Sequence, residues 1–242
     1  MHPKIKSLVK PIYAAVLPFI PWLLQRKLKG YLEYRFWRKL YKKKGLHNGH
    51  FPYFFTDFFG LKSSWYENKK VLDIGCGPCG SLEWANTALL RIGLDPEVCR
   101  YWKLGIHLHK MNYVNGLVEG IPFRDASFDL VSSFNSLDHV DHVDTALSEI
   151  IRVLKPSAHL LLILEVNHDP RPTEPVEIRE AQLKQKLIPH FELISWIDFA
   201  IRADHDIYQS LLDSTRLDSL ANDQPGIVAA HLIKNSQARK AQ

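Results

Sequence analysis

Acidic residues are nearly missing from the first 50 positions of this 242-residue chain. Glu33 stands alone there against 12 Lys/Arg, while the rest of the chain holds 19 Lys/Arg and 25 Asp/Glu. The net charge of +5 therefore averages a strongly basic arm with a mildly acidic body. Such an arm suggests an anionic partner, either membrane lipid or nucleic acid. Cysteine is also scarce. Three residues, an odd number, do not make a disulfide framework, and a reducing compartment fits better. No internal repeat or low-complexity block is visible. A composition of 46% hydrophobic and 24% charged residues excludes collagen-like and disordered chains and suffices for a buried core.

No long hydrophobic run is present either. The best is Pro11 to Leu24. As a helix it covers about 21 Å, short of the roughly 30 Å hydrocarbon core of a bilayer. Pro11, Pro18 and Pro21 interrupt it. Its lysine-rich start resembles a signal peptide, but Gln25-Arg26-Lys27 follows where a small-residue cleavage site belongs. Basic flanks and Trp22 suit an interfacial anchor. The plainer reading is packing on the body or on another chain.

Leu24, Leu28, Leu32, Phe36 and Leu40 recur every four residues and predict a helix over Gln25–Lys44. Nine basic residues crowd its other faces between Arg26 and Lys44, and Gly45 is a plausible stop. The next stretch, Phe51-Pro52-Tyr53-Phe54-Phe55-Thr56-Asp57-Phe58-Phe59-Gly60, is dense in aromatics. It reads as core that seats an N-terminal cap, and a cap of that kind can also wall a substrate pocket. Residues 1–60 are accordingly read as a basic, helical and aromatic extension, and 61–242 as the main domain.

The body alternates strand and helix. Strands are expected at Val71–Ile74, Arg91–Leu94, Tyr113–Val114, Phe128–Phe134 and His159–Val166. Helices are expected at Ser81–Leu90, Glu97–Leu104, Val143–Leu154 and Glu180–Leu187. Phe191–Ile201 and Gly226–Ile233 are further strand candidates, and Arg202–Gln224 between them reads as a polar helical insertion. The order predicts an α/β fold: a Rossmann-like, seven-stranded, mostly parallel sheet with helices on both faces and an antiparallel last strand.

Between the first strand and helix lies Gly75-Cys76-Gly77-Pro78-Cys79-Gly80. Glycines there let backbone approach a ligand closely. Asp73 precedes the loop, and Asp95 ends the second strand, where an acid can accept hydrogen bonds from both hydroxyls of a ribose. This spacing alone does not separate a dinucleotide from other adenosine cofactors. Cys76-Gly77-Pro78-Cys79 also spells the C-x-x-C of thioredoxin-like proteins, but it sits inside the glycine loop rather than exposed at a helix start. Structural zinc would need a second cysteine pair.

The sequence V-L-D-I-G-C-G-P-C-G resembles the first motif of the class I, Rossmann-like, S-adenosylmethionine-dependent methyltransferases. The likeness continues through I-G-L-D-P at 92–96, E-G-I-P-F-R-D-A-S-F-D-L-V at 119–131 and A-L-S-E-I-I-R-V-L-K-P at 146–156. The closest flavour is the small-molecule, lipid and sugar group. The resemblance implies S-adenosyl-L-methionine as cofactor. It implies Gly75, Gly77 and Gly80 beside its methionine part, Asp73 ordering the loop or meeting the ammonium through water, and Asp95 on the ribose. Pro96, Leu117, Val118 and Glu119 would border the adenine, and Asn135 would line the site from the fourth strand. The chain departs from the pattern at Gly116-Leu117-Val118, where an acid is usual, and at Ser157-Ala158, where glycines are usual. A nicotinamide dehydrogenase would leave Asp73 and the 119–131 pattern unexplained.

Methyl transfer from a sulfonium needs alignment, and an alcohol acceptor also needs its proton removed. The loops after strands four and five carry the base candidates, ranked His168, Asp138, His139. His139 matches a position that is often a structural His in the family, and Asp138 stands where another His is common. Asp141 or Asp144 is the alternative as a helix cap. The set Asp138, His139, Asp141, His142, His168 and Asp169 does not match the catechol-type metal pattern, so no metal is expected. His47 and His50 are weaker pocket candidates.

Base-modifying methyltransferases carry an Asp/Asn-Pro-Pro-aromatic motif after strand four, whereas this chain reads Asn135-Ser136-Leu137-Asp138. Nucleic acid is thereby disfavoured. The expected activity is O-methylation of a hydroxyl on a small-molecule, glycan or lipid-linked acceptor. The expected place is the cytoplasm, with residues 1–44 available to an anionic membrane surface. An RNA-directed enzyme using the basic arm and a non-catalytic cofactor-binding module are the alternatives.

Overall fold

The computed structural model describes residues 22–171, 174–213, 216–220 and 224–236. The apolar run beginning at Pro11 lies outside the described residues as far as position 21.

Among the described residues, eight strands form one sheet: β1 Lys70–Ile74, β2 Leu90–Asp95, β3 Asn112–Asn115, β4 Phe128–Phe134, β5 Leu154–Val166, β6 Phe191–Ala200, β7 Arg216–Leu217 and β8 Gly226–Lys234. Their spatial order is β3-β2-β1-β4-β5-β8-β6-β7. Strands β1 to β5 pair in parallel, and β8 runs antiparallel to both β5 and β6. The two-residue β7 is an edge addition to the seven strands expected. The chain leaves β1 toward β2 and β3, then returns to place β4 on the other side of β1. That reversal opens a crevice at the carboxyl ends of β1 and β4, where ligands of such sheets gather.

Strand alternation divides the core. Leu160, Leu162 and Leu164 of β5 join Val131, Val228 and Ala230 on one face. Two helices cover that face, α4 (Val143–Val153) and α5 (Glu180–Leu187), through Ala146, Leu147, Ile150, Leu183 and Leu187. Leu161 and Ile163 point to the other face with Leu130, Phe134 and Ala229. There the cover is the aromatic segment, with α2 (Phe51–Phe55), its neighbours Phe59 and Tyr66, and α6 (Ile207–Leu212). The aromatics are thus sheet core. Burying such rings is worth about 1.5–3 kcal/mol each.

Two expectations are corrected. Ser81–Leu90 is a run of turns, not a helix. Covering a five-residue strand of about 16 Å takes roughly 11 helical residues at 1.5 Å each. The chain has fewer than that between Gly80 and β2. Turns travel farther per residue, Arg91 holds the Leu82 and Glu83 carbonyls, and the aromatic cap supplies the cover a helix would have given. Arg202–Gln224 is likewise not one helix: among the described residues it holds α6 and β7. Elsewhere the match is close. Glu97–Leu104 contains α3 (Val98–Tyr101) and a 3-10 turn, Trp102–Leu104.

The basic helix α1 runs Trp22–Lys44. It lies across the crevice rather than away from it. Gly30 meets Glu97 and Arg100 so closely that a methyl group there would collide with both. Tyr34 and Trp37 pack on Val98, Tyr101, Leu104 and Ile106. No described helix is long and apolar enough to cross a membrane.

Candidate functional site

A cavity of about 620 Å³ opens at the carboxyl ends of β1, β2 and β4 and is roofed by α1. Of the expected cofactor residues, Gly75, Gly77, Asp95, Pro96, Leu117, Val118, Glu119 and Asn135 line it. Asp73 and Gly80 do not.

The glycine loop is shaped by what surrounds it. Gly75 and Gly77 have φ of +65° and +56°, a region that costs other residues about 1–2 kcal/mol. A Cβ on Gly75 would lie 2.2 Å from Ser136 Cβ, and one on Gly77 would lie 3.1 Å from the Trp37 indole. Asp73 sits beneath the loop and accepts from Ser132 Oγ at 2.6 Å and from Ser81 Oγ. It orders the loop from below, and burial pushes its carboxyl up to about 6. Cys76 and Cys79 are buried free thiols. Burial raises both, Cys79 to about 12, which is the reverse of a reactive thiol's environment.

Asp95 is the buried acceptor at the cavity floor. Its Oδ2 takes the Gly77 amide at 3.1 Å and its Oδ1 the Glu97 amide at 2.8 Å. Each oxygen keeps a lone pair for a ligand hydroxyl. Desolvation pushes this carboxyl up to about 7, against the pull of those two amides. Glu119, after β3, accepts from the amides of Asp141 at 2.7 Å and His142 at 3.3 Å. It thereby holds the loop after β4 to the cavity wall. His142 is the N-cap position of α4, and its side chain makes no capping hydrogen bond. Asp144, within the first turn, pairs with Lys186.

The three expected bases come together, but only one reaches the cavity. His139 lines it. Asp138 is 1% exposed and His168 2%, so both lie behind the wall, contrary to the ranking that put His168 first. Asp138 Oδ1 is 3.9 Å from His139 Nε2, and Asp138 Oδ2 is 3.6 Å from His168 Nε2. The far side of His168 bonds the Asp169 carbonyl at 2.9 Å. His139 Nδ1 faces Glu33 Oε1 of α1 at 3.3 Å. Burial disfavours the charged form of His139, but Glu33 and Asp138 outweigh it and push the imidazole up to about 9. Asp138 is held below the ordinary carboxylate range: His168 and His139 overcome the cost of burial.

Sequence reasoning missed the roof. Arg26, Lys29, Gly30, Glu33 and Trp37 of α1 all line the cavity. Lys29 Nζ donates to the His139 carbonyl and lies 3.8 Å from Asp141. Burial lowers its proton affinity against the pull of the surrounding acids. The one signal available was Glu33 itself, the sole acid of a basic arm, in step with Lys29 and Trp37 at helical spacing. Glu174, Asp204 and His205 also line the cavity, and nothing in their local sequence marked them. His47 and His50 line no part of the cavity; His50 stacks on Phe51 and Tyr208.

A profile described as a methyltransferase domain matches residues 72–162. The phthiotriol/phenolphthiotriol dimycocerosates methyltransferase of Mycobacterium leprae is 29% identical over 97 residues, 38% of this chain and 36% of that protein. The O-methyltransferase cnsE of Penicillium expansum is 30% identical over 137 residues, 51% of this chain and 48% of that protein. A ubiquinone/menaquinone biosynthesis C-methyltransferase of Brucella anthropi is 33% identical over 135 residues, 54% of this chain and 44% of that protein. The chain thus spans less than half the length of these curated relatives. Among solved structures, the [4+2]-cyclase SpnF superposes with a TM-score of 0.54 at 20% identity, covering 76% of this chain and 80% of that one. A putative S-adenosylmethionine-dependent methyltransferase from Listeria monocytogenes gives 0.52 at 15% identity, covering 70% and 92%. These superpositions show the fold. A fold shared by proteins named cyclase and methyltransferase does not by itself give the reaction.

Proposed function

We propose that the chain is a class I S-adenosylmethionine-dependent methyltransferase, a reading supported by the methyltransferase-domain match over residues 72–162, and that it methylates a hydroxyl of a small-molecule, glycan or lipid-linked acceptor. The residues fit the family's cofactor. Asp95 offers two carboxylate oxygens, each with a lone pair to spare, to a ribose. Gly75 and Gly77 bring bare backbone to the cavity wall at positive φ. When bound, the cofactor supplies an electrophilic methyl group. What this chain does is bind, align and exclude water, the main contribution expected for an in-line displacement.

The observation that carries the oxygen-acceptor reading is the polar far end of the cavity. His139 faces it, with Asp138 and then His168 behind. An alcohol placed there meets a ring of charged and hydrogen-bonding groups, the His139 imidazole with carboxylates on either side of it, rather than an apolar wall. A carbon acceptor remains compatible with the relatives' names, since O- and C-methyltransferases both occur among them. The exposed lysines and apolar residues of α1 favour a lipid-linked acceptor at an anionic surface.

Calorimetry with S-adenosylhomocysteine tests the cofactor step. Binding in the micromolar range is expected, with none for NADH and with about a tenfold or greater loss in Asp95→Ala. A folded protein that binds no S-adenosylhomocysteine would overturn the reading and favour a module that has lost the cofactor. Transfer of labelled methyl to alcohol-bearing rather than alcohol-blocked acceptors then separates oxygen from carbon methylation.

A further inference from the structure

The imidazole–carboxylate set at the polar end of the cavity has a feature that proton transfer does not use. One donor atom from each of Asp138, His139 and Glu174 lies within 4.8 Å of the others. Asp138 is fully buried, yet its Oδ1, the oxygen toward His139, has no hydrogen-bond partner. A buried carboxylate oxygen left without a donor costs about 1–3 kcal/mol or more, and such an atom calls for an unseen partner.

We propose that Asp138, His139 and Glu174 bind a divalent cation at the wall of the cavity. The two nitrogens of His139 divide the work. Nδ1 faces Glu33 at 3.3 Å, the carboxylate–imidazole arrangement that orients a metal-binding histidine and leaves Nε2 for the ion. Nε2 is the atom turned toward Asp138 Oδ1. Glu174 is held in place by Arg171, which donates to its Oε2 at 2.7 Å and is itself anchored on buried Glu165. Two carboxylates and one imidazole suit Mn2+ or Zn2+ better than a soft ion. Three protein ligands leave positions open toward the cavity, where an acceptor oxygen would coordinate and be acidified. The ion site itself stands on geometry alone. Only the acceptor's place on it rests on the methyl-transfer reading. In this arrangement Glu33 links the roof helix to the ion, so metal binding and the seating of α1 are coupled.

The test titrates Mn2+ into the full chain after chelator treatment, read by calorimetry and by loss of the free-ion electron paramagnetic resonance signal. The expected result is one saturable ion per chain. Asp138→Asn and Glu174→Gln should each weaken binding by about tenfold or more, and Glu33→Gln, at the carboxylate facing His139 Nδ1, by a similar factor. Glu174 lies outside the helices and strands and is the safer variant for folding. Absence of saturable binding, or binding unchanged in both ligand variants, overturns the site. S-adenosylhomocysteine binding measured on the same samples keeps the two readings apart. Cofactor bound without Mn2+ binding removes the cation site alone, and Mn2+ bound without cofactor removes the methyl-transfer reading alone.

Discussion

At the scale of single residues, the cavity is governed by backbone conformations that few side chains tolerate and by a largely buried carboxyl at its floor. Gly75 is pinned on two sides: its φ is +65°, and Ser136, whose Oγ donates to the Ile74 carbonyl at 2.9 Å, fills the space a Cβ would need. Gly75→Ala should therefore lower the unfolding free energy by at least about 1 kcal/mol, measured by urea denaturation, and weaken S-adenosylhomocysteine binding further than the stability loss explains. Asp95 gives a pH signature. Its carboxyl is raised from 3.8 to about 7 by burial, so between those values the folded chain holds a proton the unfolded chain has released. Stability contributed by this group falls as pH rises through that window. Cofactor affinity runs the other way, because the ionised form is the stronger acceptor for ribose hydroxyls. Calorimetry between about pH 6 and 8 should show affinity rising through 7, with a flat profile in Asp95→Asn.

At the scale of elements, α1 does two things with different faces. Glu33, Lys29 and Trp37 look into the cavity. Leu24, Leu28, Tyr31, Phe36 and Tyr41 are exposed, along with Arg35, Arg38, Lys39 and Lys42 to Lys44. Leu24, Leu28 and Tyr31 share one face while Phe36 and Tyr41 lie on others, so the basic residues rather than a continuous apolar stripe would draw this helix to an anionic surface. Reversing Lys42, Lys43 and Lys44 to Glu should weaken binding to anionic vesicles by about 100-fold while leaving S-adenosylhomocysteine affinity unaltered. Vesicle binding unchanged by the reversal, with steeply salt-dependent binding to RNA, would turn the partner toward nucleic acid. The aromatic segment was legible as a cap because its rings had to be buried somewhere. That it covers the sheet face left bare by the turns at 81–89 was not legible. Helix propensity in Ser81–Leu90 is local, whereas the length needed to span β1 is set by the sheet.

At the scale of the whole molecule, the aromatic layer and the sheet are joined through a histidine pair. His159 of β5 and His231 of β8 face each other with Nδ1 and Nε2 2.7 Å apart. His231 also meets the Phe59 carbonyl at 3.2 Å, and Trp65 packs edge-on against His159. Burial, and the neighbouring His231, lower His159 from 6.5 to about 4. The unfolded chain takes up that proton first, so stability is lost as pH falls from about 6.5 toward 4. Melting temperatures should drop across that range, and the drop should shrink in His159→Gln. An equal drop in the variant would place the acid sensitivity elsewhere.

The sequence by itself determined the strand–helix alternation, because a period of two or of 3.6 in apolar residues is local information. It also marked Gly75, Gly77 and Asp95 as one group, because the ends of adjacent parallel strands meet at the carboxyl edge of the sheet, and all three line the cavity. It placed Asp138, His139 and His168 in neighbouring loops. Only the tertiary structure decided which of them faces the cavity, since burial depends on what α1 and the loop after β5 lay over them. Glu33 and Glu174 are more than a hundred residues apart in the chain. Their meeting around His139 follows from the return of β4 beside β1 and the laying of α1 across that crevice, a long-range consequence that no local pattern encodes.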